Sequence, residues 1–81
     1  MQLVNNRRRV RIPTKKAAII TKGTTKIACV IRDLTEDGAG LSVTATKDVP
    51  EHFILTVQGE EEGRACTVRW REPTKLGVSF D

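Results

Sequence analysis

Apolar residues recur at every second position in this chain, in short runs that end at Gly, Pro or clustered charges, and no segment carries the spacing of a long amphipathic helix. That periodicity limits the chain to an all-β fold. The predicted strands are residues 17–21, 25–32, 40–44, 52–58, 64–71 and 76–80. Between them lie turn signals: Lys22, Gly23 and Thr24, the Gly- and Glu-rich run 59–63, and Glu72, Pro73, Thr74 and Lys75. The alternation sends Ile27, Cys29 and Ile31 to one face of the second strand, and Leu41 and Val43 inward from the third. Phe53, Leu55 and Val57 share a face, as do Cys66, Val68 and Trp70, and then Leu76, Val78 and Phe80. Trp70 is therefore expected to fill core, with stacking on a base as its alternative. Bare strand edges invite aggregation, so closure into a small six-stranded antiparallel β-barrel is the expected architecture. No C-terminal helix is expected within these residues.

At 81 residues the chain makes one domain, whose fold buries only about 60 to 65% of the surface that the unfolded chain exposes. An elaborate catalytic pocket has little room. The net charge of +4 is unevenly spread: residues 1–16 hold Arg7, Arg8, Arg9, Arg11, Lys15 and Lys16 with no acid, whereas the remainder holds 8 basic and 10 acidic residues. The excess charge belongs to a flexible basic arm, residues 1–15, attached to a slightly acidic barrel, residues 16–81. The asymmetry points toward an anionic partner for that arm, but on charge alone a solubilising tail or non-specific binding to nucleic acid or acidic lipid ranks first. Neither a long apolar run nor a signal-peptide pattern opens the sequence, so the expectation is a cytoplasmic protein without membrane insertion.

The residues that carry chemistry elsewhere have plain explanations here. Cys29 and Cys66 fall on inward phases and read as buried free thiols. One His and two distant Cys do not supply the paired spacing of a zinc site. His52 reads as a surface residue, and Asp37-Gly38 as turn chemistry, so neither a metal site nor an enzyme is expected.

Two clusters stand apart. Arg7-Arg8-Arg9-Val10-Arg11 precedes Pro13, which holds the chain extended, and each guanidinium offers a planar fork for phosphate oxygens or the O6/N7 edge of guanine. Asp33-Leu34-Thr35-Glu36-Asp37-Gly38 combines a carboxylate and a hydroxyl before a Gly that lets the chain bend sharply. The carboxylate complements the N1–H and N2–H donors of guanine. The arginine pair at i, i+4, Arg7 and Arg11, followed by the DxTxxG run from Asp33 to Gly38, resembles the PilZ domain family, bacterial receptors for cyclic di-GMP. The closing Val68-Arg69-Trp70-Arg71 and Leu76-Gly77-Val78-Ser79-Phe80 are similar to that family's last hairpin, so the resemblance covers about residues 7–80.

The resemblance implies a six-stranded barrel whose arm folds over the ligand. It implies that Arg7 and Arg11 grip phosphates and guanine, that Arg8 adds contacts, and that Asp33, Thr35 and Gly38 hold a guanine from the barrel surface. Thr35 stands where the family usually has Ser. No cofactor is implied beyond the dinucleotide ligand, and a downstream protein partner would read the ligand-bound surface. The competing readings are a PilZ-like adaptor that binds protein only and a small basic barrel that binds RNA or DNA. Few aromatics are available for an extended stacking platform, which makes nucleic acid the weaker of these.

Overall fold

The structure, a computed structural model, describes residues 12–81. Its strands are β1 (Ile12–Lys22), β2 (Thr25–Leu34), β3 (Gly38–Ser42), β4 (His52–Val57), β5 (Arg64–Arg71) and β6 (Lys75–Phe80). A 3-10 turn, Thr46–Asp48, connects β3 to β4. The strands pair antiparallel in the order β1-β2-β3-β6-β5-β4, and β4 pairs back onto β1, so the sheet closes into the expected six-stranded barrel. Closure leaves no unpaired edge among the described strands. β1 starts at Ile12, inside the segment assigned to the arm, because Ile12 and Pro13 pair with Leu34 and Asp33. Arg7, Arg8, Arg9 and Arg11 lie outside the described residues.

The alternating pattern fills the interior. Ala18 and Ile20 of β1, Cys29 and Ile31 of β2, Leu41 of β3, Phe53 and Leu55 of β4, Cys66 and Val68 of β5, and Leu76 and Val78 of β6 are all buried. Burying each large aliphatic contributes about 1.5 to 3 kcal/mol by transfer alone. The 3-10 turn seals one end. Thr46 is buried there; its hydroxyl donates to the Glu72 carbonyl, and Arg71 Nη1 donates to the carbonyls of Thr46 (2.6 Å) and Val49 (3.0 Å). The β1–β2 loop needs a positive φ at its first residue, and Gly23 supplies it at 61°.

Trp70 departs from the expected core. It is 49% exposed. Val68 pairs with Val78, but Trp70 pairs with Gly77, so Arg69 is an extra residue in β5. This bulge reverses the side-chain phase and turns the indole outward. β2 repeats the device: Ile31 pairs with Leu41 and Asp33 with Gly40, leaving Arg32 extra. Strict alternation after Ile27, Cys29 and Ile31 would have driven the Asp33 carboxylate into an apolar core, which is costly without a partner. The bulge sends it to the outer face instead.

Both thiols are buried and unbridged. Burial pushes the Cys29 thiol up to about 11, with nearby Cys66 adding to it. Burial likewise raises Cys66 to about 11, with the Asp81 carboxylate adding to it against the opposing Arg64 charge. Unfolded thiols ionise near the usual 9.0, so the folded state holds these protons more tightly. The stability this contributes is complete below pH 9 and is lost as pH rises toward about 11. Urea midpoints at pH 8 and pH 10.5 check it: wild type loses more stability over that interval than a Cys29→Ala, Cys66→Ala double variant, and equal losses would refute the assignment.

Candidate functional site

The two bulges flank the β3–β6 pair, and their effects meet on one row of the outer face. Asp33 pairs with Gly40, Gly40 with Gly77, and Gly77 with Trp70. An acid, two glycines and an indole thus cross four neighbouring strands. With strands spaced about 4.8 Å apart, the row spans roughly 14 Å between its outer Cα atoms. Its middle has no side chains, and its ends lean over the gap. A Cβ on Gly40 would stand 3.0 Å from Asp33 Oδ1, and a Cβ on Gly77 would stand 2.2 Å from Trp70 Nε1. The result is a shallow trough whose glycine floor is partly covered by the Asp33 carboxylate and the Trp70 indole.

The trough belongs to a basin of about 500 Å³ lined also by Arg32, Thr35, Asp37, Gly38, Arg69, Glu72 and Lys75. That volume lies within the range that holds small organic ligands. The three cations Arg32, Arg69 and Lys75 face three acids, Asp33, Asp37 and Glu72, so the described part of the basin is close to neutral. Arg69 is oriented by Ser79, to whose hydroxyl its Nε donates at 2.8 Å.

The β2–β3 turn is built around Thr35. Its Oγ1 accepts the N–H groups of Asp37 (3.2 Å) and Gly38 (3.1 Å) and donates to the Gly38 carbonyl (3.3 Å), while its own N–H also reaches that carbonyl (2.9 Å). One donor and two acceptor positions exhaust a hydroxyl. Thr35 therefore shapes the turn, and the capacity of its hydroxyl is taken up by backbone. Gly38 has a reason different from the expected sharp bend. Positive φ among the glycines is confined to Gly23 and Gly59. A Cβ on Gly38 would instead meet the Val78 carbonyl oxygen of β6 at 2.0 Å. Glycine is needed there for close strand approach.

The structure brings Asp33, Thr35 and Gly38 together at one end of the basin. Arg7, Arg8 and Arg11 fall outside the described residues. The family model for the PilZ domain matches residues 5–81, nearly the whole chain. The chain belongs to the PilZ domain family. No curated protein matches it. PilZ domains are binding modules and, as a family, receptors for cyclic di-GMP. In this PilZ domain, the sequence reading missed Gly40, Gly77 and the outward Trp70. Two glycines inside neighbouring strands were the available signal, since glycine in a strand marks a bulge or a close approach.

Away from the basin, His52 Nδ1 lies 3.2 Å from Thr67 Oγ1, which donates to Asp81 Oδ1 at 2.8 Å. The threonine proton is directed to the carboxylate, so this exposed chain is a clasp between β4 and β5 and does not activate the hydroxyl. Among the described residues no group of three His, Cys, Asp or Glu is arranged to hold a metal, and no helix is long and apolar enough to cross a membrane.

Proposed function

We propose that this PilZ domain is a cyclic di-GMP receptor that holds the dinucleotide in the Asp33 basin beneath its arginine arm. The observation that carries the reading is the pairing of Pro13 with Asp33. The arm's attachment point is thereby adjacent to the carboxylate. Chain geometry allows at most about 3.3 to 3.6 Å per residue, which keeps the Cα of Arg11 within roughly 7 Å of Pro13 and that of Arg7 within roughly 20 Å. That span permits both arginines to extend to the basin.

The charge balance supports the same division of labour. A near-neutral basin gives little attraction for a dianion, so the phosphates need the guanidinium groups of Arg7 and Arg11, with Arg8 beside them. Asp33 accepts from the guanine edge, while Thr35 and Gly38 fix the turn that presents it. Ligand binding relieves repulsion among the clustered arginines and orders the arm at a cost of about 1 to 2 kcal/mol per residue, offset by charge-assisted hydrogen bonds of about 1.5 to 3 kcal/mol each. The product is a new surface for a downstream protein in the cytoplasm, with no cofactor and no catalytic step. Nucleic acid is the weaker reading, because two Phe and one Trp are too few for an extended stacking platform.

Calorimetric titration tests the reading. Wild type binds cyclic di-GMP saturably, and Arg7→Ala and Arg11→Ala each weaken binding at least about tenfold. No saturation at millimolar dinucleotide would overturn it in favour of a protein-only adaptor.

A further inference from the structure

We infer that Trp70 is a stacking platform for a planar base, forming the wall of the ligand basin opposite Asp33. The inference rests on the proposed receptor function and adds a contact from the closing hairpin. Three observations support it. The Arg69 bulge moves an indole out of the core, although a large aromatic gains most free energy by burial. Gly77 then receives the indole: Nε1, Cε2 and Cδ1 lie 2.2, 2.4 and 2.9 Å from the position that a Cβ would occupy. The ring system is thus held against the sheet on one side, while 49% of the residue's surface stays exposed. Finally, the open indole lines the same basin as Asp33, at the opposite end of the glycine row. A platform held in place before binding loses little entropy when a ring settles on it.

A structural role for Trp70 would be to cover Gly77, and leucine can do that as well. Stacking needs a π face, which phenylalanine keeps and leucine lacks. Base–aromatic stacking measured by truncation corresponds to roughly a tenfold change in affinity. Wild type, Trp70→Phe and Trp70→Leu are therefore titrated with cyclic di-GMP by calorimetry, with urea midpoints measured alongside. Expected are wild-type affinity within about threefold for Trp70→Phe and about tenfold weaker binding for Trp70→Leu, at similar urea midpoints. Trp70 is the sole tryptophan and the chain has no tyrosine, so its fluorescence reports directly on the ring. Quenching in wild type is expected to saturate at the calorimetric midpoint. Wild-type binding with undiminished affinity in Trp70→Leu, or with unchanged fluorescence, overturns the inference and leaves the receptor function standing. Absence of wild-type binding overturns both.

Discussion

Gly38→Ala lowers the thermal midpoint of this domain by about 15 °C. The added methyl would stand 2.0 Å from the Val78 carbonyl oxygen and 3.1 Å from Ser79 Cα, all of it backbone that no rotamer change can clear. β3 and β6 must separate, and their pairing floors the trough. Overpacking of this kind costs about 3 kcal/mol, and each kcal/mol moves the midpoint of a domain this small by about 4 to 8 °C. Gly59→Ala is the useful contrast. Its φ of 90° strains any side chain, yet nothing lies within 4 Å, so its cost is limited to about 1 to 2 kcal/mol. Thermal unfolding followed by circular dichroism ranks the two variants. A Gly38→Ala midpoint within a few degrees of wild type would mean that the strands are not as close as described.

The second large effect is on affinity. Asp33→Ala weakens cyclic di-GMP binding about thirtyfold, the scale of hydrogen bonds to an ionised group. Asp33→Asn loses less, since its carbonyl oxygen still accepts from one guanine donor. Gly40→Ala weakens binding although it removes no polar group, because its Cβ stands 3.0 Å from Asp33 Oδ1 and pushes the carboxylate aside. Calorimetry on the three variants orders them, with Asp33→Ala weakest. Wild-type affinity in Asp33→Ala would place the ligand elsewhere.

Period-two patterning was enough to read the barrel. Leu41, Leu55 and Leu76 lie buried on the phases their neighbours predict, and the turn at Gly23 takes the positive φ that its sequence suggests. The strand ends were less legible. β3 begins at Gly38, two residues before the apolar alternation, because its first pairings are made by glycine and alanine backbone. The site was legible only in part. The DxTxxG run marked the turn, but periodicity cannot register a bulge, since an extra residue is a property of the pairing and not of one strand. Asp33 and Trp70 both sit one step past such an extra residue, and both extra residues are arginines. An acid on an apparently inward phase, as at Asp33, was the physical warning in β2. In β5 no comparable warning existed, because tryptophan is at home in a core.

The most direct test is an amide and indole NMR titration of the full chain with cyclic di-GMP. The account predicts saturable shifts clustered on Asp33, Gly38, Gly40, Gly77 and the Trp70 indole, together with the resonances of Arg7 and Arg11. Shifts confined to the opposite outer face, around the exposed Ile19, Val30 and Ile54, or no shifts at all, would contradict it.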